Sequence, residues 1–287
     1  QVYRPDDMVM DILTRRDTTH AVVDCGDFHM NADVKGGYKH LMTITDNIMN
    51  EIDRQWKARI ISEPELRCVL PEGHVYLSVG QENPISRALS RADYTYYNIY
   101  ADVTSSPGSG LNGEMHIDTL RTQGYQLDNI GLKLNSTDET IHYDLLVENG
   151  KDNPQYSFLA HAKGELLPNG TSLWLGLDDD KGKRGVETSL SAMMEEGGIR
   201  LCLDNRDHIL GYMPFSVNKD NYVFLANNQR VSADVKLRSA DGMGVQIYTD
   251  DENVDALQDI TVSLHQFDIA KVLSVVPYMP DVRGILD

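Results

Sequence analysis

Cysteine is nearly absent from this sequence: Cys25, Cys68 and Cys202 are the whole complement in 287 residues. Three is an odd number with no metal-type spacing, so neither a disulfide framework nor a zinc cluster organises the fold. Cys68 shares a strand phase with Leu66 and Leu70 and is read as a small packed hydrophobe. Tryptophan and phenylalanine are scarce too, two and five residues, fewer than an aromatic-rich sandwich core calls for. Basic residues are outnumbered, 26 Lys and Arg against 44 Asp and Glu, a net charge of −18. Such a surface repels phosphate backbones and anionic headgroups, which excludes charge-driven nucleic-acid or membrane-surface binding and leaves neutral or apolar partners. No apolar run approaches the ~20 residues of a membrane-spanning helix, and Gln1 opens no signal peptide.

The motifs of common enzymes are missing as well. There is no GxGxxG, no GxxxxGK[ST], no GxSxG and no HExxH. The nine histidines are dispersed, and His29, His74, His116, His142 and His265 occupy the polar phase of their segments. Asp178-Asp179-Asp180 lacks the alternating carboxylates and distal Glu of a calcium loop and reads as a hairpin turn. Asp250-Asp251-Glu252 is the same case. The sequons at Asn135 and Asn169 read as turns. We therefore expect no catalytic residues, no metal and no cofactor.

What the sequence does have is alternation. Phe28, Met30, Ala32 and Val34 alternate with polar residues. So do Leu66, Cys68 and Leu70, continuing after a Pro-Glu-Gly turn through Val75, Leu77 and Val79. Tyr97, Ile99, Ala101 and Val103 follow the same pattern. Further on the apolar phase collects Ile130, Leu132, Leu134, Ile141, Leu145, Val147, Leu173, Leu175, Leu177, Ile199, Leu201, Val231, Val235, Leu237, Val262 and Leu264. A period of two puts these side chains on one face of a pleat, with polar ones opposite, as antiparallel sheet requires. The connectors at 105–110, 135–138, 167–170, 195–198 and 239–242 are short and rich in Gly, Asn, Asp, Ser and Pro, which suits hairpins.

Three helices interrupt the strands. Residues of about 38–60 place Leu41, Ile44, Ile48 and Ile52 on one stripe, expected to cap or plug the sheet. A short helix of about 84–92 follows the cap Asn83 and Pro84. Another of about 268–276 begins at Asp268, faces Ile269, Val272, Leu273 and Val276 inward, and ends at Pro277. The expected organisation is strands with two helices over 1–105, then repeated hairpins with one short helix over 106–287. LDNIGLKL at 127–134 is echoed by LQDITVSL at 257–264, which points to a stacked sheet. The abrupt ends lead us to expect a chain cut from a longer one.

Several blocks carry a resemblance. LPEGHVYLSVGQENPISRALS at 70–90, GLNGEMHIDTLRTQGYQLDNIGLKL at 110–134, VENGKDNPQYSF at 147–158, LGYMPFSVNKDNYVFLANNQRVSADVKL at 210–237 and LQDITVSLHQFDIAKVLSVVPYMPDVRGIL at 257–286 resemble TamB-like (AsmA-like) translocation and assembly module proteins of outer-membraned bacteria. The resemblance implies a mainly β fold, an elongated curved antiparallel sheet folded over into a trough with an apolar interior. It also implies a periplasmic protein anchored in the inner membrane, of which this chain is an internal fragment. The roles implied are carriage of phospholipid acyl chains, and outer-membrane protein assembly and secretion. The implied partners are phospholipid, an outer-membrane assembly barrel protein and unfolded β-strand clients. No catalytic residues come with it. Two other classes stay open: a structural or adhesive β-sandwich repeat of a cell-surface protein, and a carbohydrate-active β-solenoid using Tyr94, Tyr96, Tyr97 and Tyr100.

Overall fold

The structure, a computed structural model, describes residues 7–122, 124–138, 140–249, 258–275 and 284–286. Among the described residues strand accounts for 56% and helix for 15%, more than twice the strand content of an average soluble domain. The strand pairing among these residues is antiparallel throughout. The chain packs as two compact units, residues 1–58 with 62–155 and residues 59–61 with 156–287. Residue 105 lies within a strand of the first unit.

The first unit contains β1 (Met8–Thr14), β2 (Thr18–Cys25), β3 (Phe28–Lys35), α1 (Tyr38–Ala58), α2 (Glu63–Cys68), β4 (Gly73–Val79), α3 (Pro84–Ser90), β5 (Tyr94–Tyr96), β6 (Ile99–Ser106), β7 (Gly110–Thr122), β8 (Tyr125–Ser136) and β9 (Ile141–Asn149). Its sheet is a meander. Each strand pairs antiparallel with the next along the chain, in the order β1-β2-β3-β4-β6-β7-β8-β9. The short β5 lies against β7, in line with β6.

Two expectations are corrected here. Leu66, Cys68 and Leu70 do not form a strand: residues 63–68 are helical. Pro64 fixes φ in the first turn, Glu63 and Glu65 complement the helix N-terminus, and Arg67 pairs with Glu63 one turn back at 2.7 Å. Those local terms outweigh a three-residue alternation, and Cys68 ends exposed rather than packed. Tyr97, grouped in sequence with Ile99, Ala101 and Val103, lies outside their strand. Tyr97 and Asn98 separate β5 from β6, Tyr96 is buried, and Tyr94 and Tyr97 are exposed.

The buried part of this unit is small and partly polar. Asn83, fully buried, caps α3: its Oδ1 accepts from Ser86 N at 2.9 Å, and its Nδ2 donates to Asp27 Oδ1 and Gly80 O, each at 2.8 Å. Ser86 Oγ then meets the buried Tyr96 hydroxyl at 2.8 Å. The joint from α1 to α2 is closed by Gln55, whose amide exchanges hydrogen bonds with the backbone of Ser62.

The second unit contains β10 (Phe158–Leu167), β11 (Gly170–Asp178), β12 (Arg184–Glu195), β13 (Gly198–Leu203), β14 (His208–Leu210), β15 (Met213–Val217), β16 (Tyr222–Ala226), β17 (Val231–Ser239), β18 (Gly244–Tyr248), β19 (Thr261–His265), β20 (Phe267–Asp268), α4 (Ile269–Leu273) and β21 (Ile285–Leu286). The long β12 pairs with β11 on one side, and with β13 and β14 on the other. These continue through β16 and β15 to β17, then to β18 and β19. Asp268 caps α4, accepting from Lys271 N at 3.2 Å. The helix and the residues after it pack against two glycines: a Cβ on Gly211 would meet Lys271 O at 2.7 Å, and one on Gly185 would meet Val275 at 2.7 Å. Val276, Pro277 and the Asp250-Asp251-Glu252 run lie outside the described residues.

The hairpin turns follow their sequences. Pro168-Asn169 joins β10 to β11 with Asn169 at φ +62°, and Glu196-Gly197 joins β12 to β13 with Gly197 at φ +90°. Asn135, by contrast, sits inside β8 rather than in a turn. Asp179 organises the β11–β12 connection: its Oδ1 accepts from Lys181 N and Lys183 N at 2.9 Å each, and its Oδ2 from the Tyr212 hydroxyl at 3.0 Å. These bonds, the backbone donor of Lys183 foremost, hold its carboxyl below the usual range.

Candidate functional site

Antiparallel register decides which side chains share a face, because directly opposed residues point the same way. In the first unit three apolar rows cross the sheet. One runs Met8, Cys25, Phe28, Val79, Ile99, Ile117, Ile130, Val147. The next runs Met10, Val23, Met30, Leu77, Ala101, Met115, Leu132, Leu145. The third runs Ile12, Ala21, Ala32, Val75, Val103, Gly113, Leu134, Tyr143, and Ile141 begins a fourth, mixed row opposite Ser136. Eight strands at about 4.8 Å spacing make each row about 34 Å long.

The second unit repeats the arrangement. Leu173, Leu190 and Leu203 stand opposite one another in turn, as do Leu177, Val186, Leu210 and Met213. Ala192, Leu201, Val223 and Ala233 form a further row, and Met194, Ile199, Leu225 and Val231 another. Val235, Ile247 and Val262 align, and so do Leu237, Val245 and Leu264. Leu175 lies in the same phase as Leu173 and Leu177, opposite Ala162 and Thr188.

Leu77, Ile99 and the sixteen residues from Ile130 to Leu264 singled out in the sequence, eighteen in all, lie in this apolar phase. What distinguishes them is incomplete burial. Val235 is buried at 8% exposure, so it is closed off rather than open, while Leu145 and Val262 are exposed at 38% and 59%. The other fifteen are half-buried. A side chain in a closed sandwich core loses nearly all its exposure; these retain part of theirs. Sequence reading missed the first-strand members Met8, Met10 and Ile12, each more than half exposed. Their alternation is masked because Val9 and Leu13, on the opposite face, are apolar as well.

The helical stripe divides. Leu41, Ile44 and Ile48 are half-buried, whereas Ile52 faces solvent at 48% exposure. Glu51 and Arg54 fix the polar side of the helix: Arg54 Nε donates to Glu51 Oε2 at 2.8 Å, and its Nη2 also reaches Glu65 of α2. The Arg54 bonds, helped by Gln55, lower the Glu51 carboxyl to about 2.

Beyond Val9, Leu13 and Val22, the opposite face of the first unit is mostly polar and carries histidine–carboxylate contacts. His20 lies 2.7 Å from Asp33, His29 2.5 Å from Asp24, His74 2.7 Å from Asp102 and His116 3.1 Å from Asp118. Tyr76 and Tyr100 meet edge to face there, and desolvation with the neighbouring Asp102 pushes the Tyr100 phenol up. On the polar face of the second unit, Lys163 and Arg184 flank the Trp174 ring. Arg200 stacks over Tyr222 and Phe224 beside an open cavity of about 560 Å³, next to Cys202, whose thiol is pushed up by burial. Among the described residues no group of three His, Cys, Asp or Glu side chains is placed to hold a metal ion. No described helix is long and apolar enough to cross a membrane.

Comparison with known proteins adds no name to this geometry: no family model matches the chain, no curated protein matches it, and no solved structure matches its fold.

Proposed function

We propose that the apolar sheet face seats the acyl chains of phospholipid. The observation that carries this reading is the set of continuous apolar rows in which most members keep part of their exposure, Val23, Cys25, Val79, Ala233 and Val235 being the buried ones. Each methylene taken out of water contributes about 0.8 kcal/mol, so ten methylenes lying along one row gain at most roughly 8 kcal/mol, a micromolar association. Half-open rows favour this over an adhesive β-sandwich, in which the same side chains would be buried. The −18 charge fits it as well, since the driving force lies in the apolar tails and needs no attraction to the headgroup. In the setting that the TamB-like resemblance implies, the face would work in the periplasm, passing acyl chains between membranes or holding apolar strands of outer-membrane clients.

Photo-crosslinking residues placed at Leu132, Leu145 and Leu175 are expected to capture lipid from co-purified or added phospholipid. The same residues at Lys133 and Asp144, in the opposite phase of β8 and β9, are expected to stay blank. Capture at the polar positions and not at the apolar ones refutes the proposal.

A further inference from the structure

Helix α1 presents to solvent a second apolar line that the strand argument does not use. Tyr38, Met42, Met49, Ile52 and Trp56 are exposed at 67%, 52%, 62%, 48% and 60%. With Thr45 between them, they are spaced four, three, four, three and four residues apart. That is the seam of a heptad repeat, the spacing that lets one helix lie along another. The single polar member is satisfied locally, since the Thr45 hydroxyl donates to Leu41 O at 3.0 Å. On the other flank Leu41, Ile44 and Ile48 are half-buried and Gln55 is buried. The helix therefore offers outward an apolar seam among exposed polar residues.

We propose that α1 pairs with α1 of a second copy of this chain, antiparallel, across a two-fold axis. Reversing the seam on itself sets Tyr38 against Trp56 of the second copy, Met42 against Ile52, and Thr45 against Met49. Aromatics meet aromatics at both ends, and every layer is filled. The shoulder residues Lys39, Asp46 and Asp53, all exposed, select this direction, Asp53 being also paired with Lys57 of its own helix. Run antiparallel, Lys39 of each copy comes beside Asp53 of the other, twice over, while Asp46 meets its own symmetry mate. Run parallel, the same shoulder lies beside Leu41, Ile48 and Gln55 and gains no ion pair. The two carboxylates count against a membrane surface as the occupant, because a chain at −18 would press them toward anionic headgroups. An isologous contact of this kind closes at two copies. It spans fewer than three heptads, so the association is weak and depends on concentration. It goes beyond acyl-chain binding and does not depend on it.

Sedimentation velocity on the full chain, over a concentration series, is expected to show mass rising from 32.2 kDa toward twice that value. Met49→Asp should hold the chain as a single copy with an unchanged circular dichroism spectrum, since Met49 is exposed. Lys39→Glu and Asp53→Lys should each weaken association roughly tenfold, and the double variant should restore it. Residues 39 and 53 lie about 21 Å apart along one helix, so rescue reports contact between copies. Asp46→Asn, which removes the one like-charge contact, should tighten it. A single-copy mass at every concentration overturns the proposal. So does a double variant no better than either single one, or association that Met49→Asp leaves intact. Flotation of the wild-type chain with phosphatidylcholine vesicles, lost in Met49→Asp and unaccompanied by self-association, would give the seam to lipid instead.

Discussion

Truncating Leu132 to alanine separates an open apolar face from a closed core. Leu132 stands in the middle of β8, between Met115 on β7 and Leu145 on β9, and is half-buried. The change removes three carbon atoms. At about 0.8 kcal/mol per methylene, that is about 2.4 kcal/mol for a fully buried side chain and about 1.2 kcal/mol for one half-buried. An enclosed site adds a cavity term that carries Leu→Ala to roughly 2–5 kcal/mol. An open face leaves no void, so the added term should vanish. Phe215, with no exposure at all, is the internal standard, and Phe215→Ala is expected to cost about 3–5 kcal/mol. Urea unfolding followed by circular dichroism measures both, provided the transitions of the two units are fitted separately. A loss above about 2.5 kcal/mol for Leu132→Ala would mean that something encloses the row, and the reasoning from half-burial would fail.

Two further outcomes follow from the first unit. Asn83→Ala removes the α3 cap and three hydrogen bonds at a buried position, and is expected to cost about 2–3 kcal/mol in urea unfolding; a loss below about 0.5 kcal/mol would show that the cap is dispensable. The Glu51 carboxyl is lowered in the fold from 4.5 to about 2. Its contribution is therefore complete above about pH 4.5 and lost as pH falls toward 2. Acid titration of the thermal midpoint should show this loss in the wild-type chain and a shallower slope in Glu51→Gln; parallel slopes would refute it.

Much of the sheet was legible because period-two alternation is a local signal and the turns carry their own dihedral chemistry. Leu132, Leu145 and Leu173 fell on one face for that reason. The alternation failed where a short helix had stronger local terms, as at Glu63, Pro64 and Arg67, and where both phases were apolar, as in Met8–Thr14. Burial was not legible at all. Val235 and Val262 read alike in sequence and differ from 8% to 59% exposure, because exposure depends on which strands lie beyond. The helix stripe was assigned by hydropathy alone, which joined Ile52 to Leu41, Ile44 and Ile48, although the helix turns Ile52 toward Met49 and Trp56.

The strict neighbour-to-neighbour pairing of the first unit has a mechanical consequence. Apart from the short β5, which lies against β7, each strand is held by the one before and the one after, so whole hairpins can be added or removed while the remaining ladder keeps its register. The unit then behaves like a ribbon whose reach is set by strand number, at about 4.8 Å per strand. Pulled from β1, it should yield strand by strand rather than in one event, and a chain emerging from synthesis can lock each strand against the last without waiting for distant sequence.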